Sequence, residues 1–261
     1  VMDSAATTLD PCAHRPGWTN ARTVPAHRIT FLWTTPRSRS TAFERMMIER
    51  GDHTVIDEPF SQRYYFSAER RSGRYPDKDT GATAEVVLQH IHDAARERPV
   101  FVKDMAYHAG DLLDTGFLAD FTNTYLVREP AAALASLERM WPDFNDEEAG
   151  YEALGRTFDV FPGPVLEADD LAHDPPGLIR AWCEAVGIGF EPGALSWRPG
   201  MVPQWEHWQD WYGGVANSTG FVPPEPRTGP PAGPSERVRD VLADALPVYD
   251  RMVASKLTAP R

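Results

Sequence analysis

Between Thr34 and Thr41 the chain reads Thr-Thr-Pro-Arg-Ser-Arg-Ser-Thr, two guanidinium groups in a turn otherwise built from proline and small hydroxylated residues. If a helix starts at the end of such a turn, it is an anion site. The first N–H groups of a helix have no internal partner, and its dipole presents positive charge there. Arg37 and Arg39 add charge, and Ser40 or Thr41 supplies a hydroxyl or a cap for the helix. A second marker is Lys103, which closes the apolar run 99–102. A buried ammonium without a partner is costly, so Lys103 is expected to meet an acid, an anionic ligand or solvent. Asp57 and Glu58 come directly after another apolar run. They are candidates for acid–base work, or for nothing more than a solvated turn. Arg128 closes a third run and is succeeded by Pro130 and Ser136, a spacing that lets a strand-tip arginine and a helix hydroxyl address one anion.

These residues need elements to hold them. The runs 29–33, 54–56, 99–103 and 123–127 have the length and the β-branched or aromatic character of buried strands. Phe43, Met46 and Met47 recur at helical spacing up to Gly51, and a helix over 81–98 is expected to bury Val86, Val87, His90, Ile91, Ala94 and Ala95. Pro130 opens a helix over 131–141, and a further helix spans 147–161. Strands alternating with helices predict an α/β fold with a mostly parallel central sheet flanked by helices. In such a sheet, the loops beyond the carboxyl ends of the strands line the ligand crevice. The expected organisation is an N-terminal arm over 1–27 and a single α/β domain over 28–261. That domain includes a Pro/Gly-rich loop at 222–234 and a helix at 235–257 capped by Ser235. The segment 62–76, rich in arginine and tyrosine, is either a cover over the crevice or a surface helix. The tryptophans at 197, 205, 208 and 211 read as local core in preference to a ligand wall.

The net charge of -12 over 261 residues argues against nucleic acid or an anionic membrane surface as partner. An anionic ligand must therefore be captured by local charge. No run approaches the roughly 18 apolar residues of a membrane span, and the expected compartment is the cytoplasm. Cys183, among Ile179, Trp182 and Val186, reads as a small core hydrophobe. The histidines form no ligand pattern, His90 and His92 facing different ways on a helix, so no metal site is expected.

The run Pro36-Arg37-Ser38-Arg39-Ser40-Thr41 resembles the 5′-phosphosulfate loop of sulfotransferases that use 3′-phosphoadenosine 5′-phosphosulfate (PAPS). In that family the run is Pro-(Lys/Arg)-Ser-Gly-(Ser/Thr)-Thr. Arg39 replaces the glycine, which predicts an ordinary helical or extended backbone there. Arg128, Pro130 and Ser136 match the family's 3′-phosphate signature, and Lys103 matches a strand-end lysine that contacts the transferred sulfuryl group. The stretch 164–171 resembles the family's late strand and its Asp-Leu pair, and Asp174-Pro175 with a helix to Gly187 continues the likeness. The resemblance covers roughly 29–190 and implies a P-loop-like sulfotransferase fold, PAPS as donor, PAP as product and a small-molecule acceptor. Arg37 and Lys103 would then stabilise charge. Ser38, Arg39, Ser40 and Thr41 would hold the 5′-phosphosulfate, and Arg128 with Ser136 the 3′-phosphate. No good copy of the family's basic, glycine-rich C-terminal segment is present. A phosphotransferase using ATP and magnesium is the alternative, although the Gly-x-x-x-x-Gly-Lys-Ser/Thr loop it needs is absent. A non-catalytic PAP-binding domain is another.

The catalytic base is the open assignment. Many family members carry a histidine two residues after the strand-end lysine, where this chain has Met105. Glu58, Asp104 and His108 remain. Glu58 is favoured, by resemblance to bacterial carbohydrate sulfotransferases and because a crevice closed by Tyr64, Tyr65 and Phe66 would raise its pKa. His108 is the reserve. Tyr64, Tyr65 and Tyr107 are the candidate acceptor contacts. On this reading Arg128→Ala weakens PAP binding by about 1.5–3 kcal/mol, the scale of a hydrogen bond to a charged group. Calorimetry showing unchanged affinity in the folded variant would remove Arg128 from the site.

Overall fold

The computed structural model describes residues 28–76, 79–223 and 235–260. The predicted arm over 1–27 and most of the predicted loop at 222–234 lie outside the described residues. Five strands form one sheet: β1 (Ile29–Thr34), β2 (Thr54–Asp57), β3 (Val100–Met105), β4 (Thr122–Val127) and β5 (Val165–Glu167). Their order is β2-β3-β1-β4-β5 and every pairing is parallel. A sheet buried on both sides needs apolar side chains on both, and β1 is buried throughout. Phe31 and Trp33 face one layer of helices while Leu32 faces the other.

Helices α1 (Ser40–Arg50), α7 (Ala168–His173) and α8 (Pro175–Val186) cover one face through Phe43, Met46, Leu171 and Trp182. Helices α3 (Ala84–Glu97), α4 (Pro130–Met140), α6 (Tyr151–Val160) and α10 (Glu236–Val253) cover the other. The short helices α2 (Pro59–Phe66), α5 (Asp146–Ala149) and α9 (Gln209–Ala216) lie at the carboxyl ends of the strands or beside them. Adjacent strands β1 and β4 thus send their succeeding helices, α1 and α4, to opposite faces. Their loops part there and open a crevice, the usual place for a ligand in an open parallel sheet.

Several expectations are corrected. Helix α3 is turned about its axis relative to the predicted face: Val86 and His90 are exposed, and Leu88 joins Val87, Ile91 and Ala95 inside. The predicted helix over 147–161 is broken by Gly150, left-handed at φ 80, which ends α5 and starts α6. Its absent side chain matters, since a Cβ there would sit 3.3 Å from Pro36 and 3.4 Å from Tyr107. The late strand is only three residues before α7 begins. Helix α10 continues through Pro247. Cys183 is buried, in keeping with its apolar neighbours.

Chain entry into β5 depends on Gly163, where a Cβ would lie 1.9 Å from the Asn123 carbonyl oxygen of the neighbouring strand. Gly163→Ala is expected to cost about 1–3 kcal/mol, the usual penalty for forcing atoms into filled space. Urea unfolding checks this as a lower midpoint at unchanged slope.

Candidate active site

The turn after β1 leaves the sheet through two left-handed residues that carry side chains, Arg37 at φ 63 and Arg39 at φ 69. The ordinary backbone expected at Arg39 is therefore wrong. The glycine-type conformation is kept although an arginine occupies it, at a cost of about 1–2 kcal/mol. Nor does Ser40 or Thr41 cap α1, whose N-cap position is Arg39 with no side-chain hydrogen bond. Two other helices that come after strands have a carboxylate N-cap of their own, and at α2 the Phe60 N–H is taken by Asp104 of β3. Glu129 accepts from Ala131 and Ala132 at the start of α4, and Glu167 from Asp169 and Asp170 at α7. The N–H groups of Ser40 and Thr41 at the start of α1 take part in none of the described hydrogen bonds, and both residues line a cavity.

Three arginines gather at that cavity: Arg37, Arg39 and Arg128. The Arg37 Nε donates to the Ser136 hydroxyl at 3.1 Å, and no carboxylate partners Arg37 among the described residues. Arg128 donates from Nη1 to the Arg37 carbonyl at 3.0 Å, while its buried Nε has no hydrogen-bond partner. Asp169 answers Arg39 at 3.3 Å and Arg128 at 3.6 Å. Burial, then Arg128 and Arg139, lowers the pKa of Arg37, while burial, then Arg39, lowers that of Arg128 against the pull of Asp169. Positive charge here exceeds its internal counter-charge, so the site is built for an anion.

Beneath the cavity lies a buried charge cluster. The Lys103 ammonium sits 2.5 Å from Asp57, 2.6 Å from Glu58 and 3.7 Å from Glu44 of α1. One ammonium cannot balance three ionised carboxylates in a dry interior. Burial, then Asp57, pushes the Glu44 carboxyl well above the usual range, and burial takes Asp57 up to about 7 against the pull of Lys103. Burial also opposes ionisation of Glu58, but Lys103 outweighs it and holds that carboxyl low. The raised pKa expected for Glu58 is thus reversed: it is the carboxylate of the cluster. Lys103 itself is wholly buried and does not reach the cavity wall.

On the opposite side of β3, strand alternation carries Asp104 away from Lys103. The Asp104 carboxylate accepts from the Phe60 and Met105 N–H groups, each at 2.8 Å, and meets the Nδ1 of His108 at 2.7 Å. The tautomer that carries its proton on Nδ1, toward Asp104, has a lone pair at Nε2. That nitrogen is buried and has no hydrogen-bond partner, and His108 lines the cavity. A carboxylate–imidazole pair of this kind can take a proton.

The remaining wall is aromatic. Trp208 donates to the Ser61 hydroxyl at 3.1 Å and Tyr212 to Asp57 at 2.7 Å. Below them Trp205 donates to Glu44 at 3.1 Å. In this part of the tryptophan-rich stretch Trp205 is core, while Trp208 and Trp211 line the cavity with Tyr65, Tyr75 and Trp141. The cavity encloses about 440 Å³.

Of the residues singled out in the sequence, Arg37, Arg39, Ser40, Thr41, Glu58, Tyr65, Tyr107, His108 and Arg128 meet here. Ser38, Ser136, Lys103 and Tyr64 do not reach the wall, nor do the acid candidates Asp57 and Asp104. Ser38 turns inward against the Thr34 hydroxyl, Ser136 lies behind Arg37, Lys103 is sealed by its carboxylates, and Tyr64 packs against Tyr65, Tyr107 and His108. Glu44, Asp169, Tyr75, Trp141 and the cavity-lining position of Trp208 and Trp211 escape sequence reasoning. The Asp104–His108 contact has a faint signal in its four-residue spacing at a strand exit. No group of three or more His, Cys, Asp or Glu side chains is arranged to hold a metal ion among the described residues, and no described helix is long and apolar enough to cross a membrane.

Residues 28–256 match the family described as a sulfotransferase domain. Two curated Arabidopsis thaliana relatives, branched-chain-amino-acid aminotransferase-like proteins 2 and 1, are 27% and 28% identical over 237 and 234 residues. The alignments cover 85% and 84% of this chain but 41% and 40% of the plant proteins, so the chain spans well under half of their length. Among solved structures, the sulfotransferase domain of the Synechococcus PCC 7002 olefin synthase shares the fold, with a TM-score of 0.53 at 16% identity, covering 88% of this chain and 95% of that one.

The charge cluster carries a pH dependence. A carboxyl whose pKa rises on folding, as Asp57 does from 3.8 to about 7, holds its proton more tightly in the folded state. Its contribution to stability is complete below the unfolded value and is lost as pH rises through the folded one. Asp57→Asn should therefore lessen the fall in stability between about pH 4 and about pH 7. Urea unfolding of both proteins across that range checks it; parallel curves would remove Asp57 as the source.

Proposed function

The chain belongs to the sulfotransferase domain family, and from this site we propose that it moves a sulfuryl group from PAPS to a hydroxyl or amine of a small-molecule acceptor. The observation that carries the reading is the joining, in one cavity, of an uncapped helix start under three arginines that share one carboxylate, Asp169, with a histidine whose Nε2 has no hydrogen-bond partner. Bound PAPS would supply an activated sulfuryl group with a phosphate as its leaving group.

The residues suit that donor. Free N–H groups at Ser40 and Thr41, with Arg37, would bind the phosphosulfate end and neutralise charge growing on the leaving oxygen. Arg128, with its unpartnered Nε, would hold the 3′-phosphate, and Arg139 would add field. Ser136 would act through Arg37, holding its guanidinium in place. In this proposal His108 is the base in place of Glu58. It accepts the acceptor's proton at Nε2, while Asp104 fixes the tautomer and steadies the imidazolium. Glu58 is a poorer base because Lys103 already holds it as a low-pKa carboxylate. Lys103 is then a positioning residue for Glu58 and not a contact to the sulfuryl group.

His108→Ala is expected to lower turnover by about 10²–10⁴-fold, the span of general-base catalysis, with PAP still raising the melting temperature as in the unaltered protein and ATP with magnesium not doing so. Near-normal turnover in that variant, with Glu58→Gln inactive, would return the base to Glu58.

A further inference from the structure

The cavity is electrically divided. Every arginine that lines it comes from the loops after β1 and β4, and no lysine lines it among the described residues. The other end, built by the segments after β2 and β3 and by 203–216, carries one formal charge on its wall, the Glu58 carboxylate. Its Oε1 receives Lys103 and Tyr212 at 2.6 and 3.3 Å, while Oε2 takes part in none of the described hydrogen bonds. Around it stand aromatic rings in mutual contact. Tyr65 lies 5.2 Å from Tyr75 and 5.8 Å from Trp208, and Trp141 lies 5.3 Å from Trp211. Ring faces attract cations, and two rings of this wall already do so with the protein's own. The Arg74 guanidinium is 4.2 Å from the Trp141 ring centre, and the Lys103 ammonium is 5.1 Å from that of Tyr212. Tyr65, Tyr75, Trp208 and Trp211 have no such partner among the described residues.

From this division we propose that the acceptor is an organic cation, an alcohol carrying a protonated or quaternary amine. The amine is held between the free Glu58 oxygen and the aromatic rings, and the hydroxyl is presented to His108. The role of the hydroxyl rests on the sulfuryl-transfer reading; the cation site does not. An anionic acceptor finds no positive side chain on the described wall at this end and faces a carboxylate. A neutral one forgoes the charge that Glu58 offers. The net charge of -12 adds an attractive field for a cation at long range.

The test uses shape-matched probes, titrated calorimetrically into the whole chain with and without PAP: choline, its uncharged isostere 3,3-dimethylbutan-1-ol, and 2-naphthol as a flat neutral alcohol. Choline should bind about tenfold or more tighter than the isostere, the ratio expected of a partly desolvated cation–π and carboxylate site. Trp211→Leu should remove most of that preference while leaving PAP binding unchanged. Tyr75→Leu is the second variant should the first fail to fold. The inference is overturned if the isostere or 2-naphthol binds as tightly as choline, or if choline does not bind. Failure of PAP to bind would count against sulfuryl transfer alone, since choline added to the free protein still decides the cation site.

Discussion

One ammonium group surrounded by three carboxyls sets the terms for the rest of this molecule. Lys103 comes from β3, Asp57 and Glu58 from the end of β2, and Glu44 from α1, so the cluster clamps two strands to the helix that opens the anion site. Its charges cannot all be present at once. Burial raises the Glu44 and Asp57 carboxyls while Lys103 holds Glu58 low, so Glu58 is the one of the three that ionises most readily. The aromatic segment is fastened to the same acids, through Trp205 on Glu44 and Tyr212 on Asp57. A wall that looks hydrophobic is thus located by hydrogen bonds to buried carboxyls. Its placement is as specific as the proton count of the cluster.

Backbone strain is concentrated at the same place. The three described residues other than glycine with positive φ are Arg37, Arg39 and Glu58, and all three line the cavity. Each lies where the chain turns out of a parallel strand into a helix. Residues with side chains are held there only where surrounding contacts over-determine them. Glu58 shows how this is done: its N–H donates to the Lys103 carbonyl at 2.7 Å, continuing the β2–β3 ladder, while its carboxylate takes the same residue's ammonium. The conformation is fixed from both ends.

The sheet is readable from its strands because burial on both faces demands continuous apolar runs, and 29–33 or 99–102 has no other plausible use. The anion loop is readable because arginines in a small-residue turn have few purposes. The hidden features depend on contacts across the fold. Nothing local marks Arg39 as left-handed, since the surroundings impose it. The facing of α3 turns on whether Val86 or Leu88 meets the sheet, which periodicity alone does not distinguish. Lys103 is expected to find an acid, but Glu44, the third of its partners, lies in the middle of a helix with no mark upon it. Glu58 looks like a base when its pKa is reasoned from burial, and the nearby ammonium reverses that sign. The tryptophans read as core because composition cannot say that a ring has one face on the protein and the other on a cavity.

Asp169 gives the anion site a particular character. It stands at the start of α7 with its carboxylate 3.3 Å from Arg39 and 3.6 Å from Arg128, and it is partly open to solvent. A phosphate arriving there does not fall into an empty well of positive potential. It trades places with a tethered acid that can return at once, so occupancy is a competition between an external and an internal anion. On the proposed reading, such exchange would let a bound anion leave without exposing bare arginines, since the tethered acid takes its place.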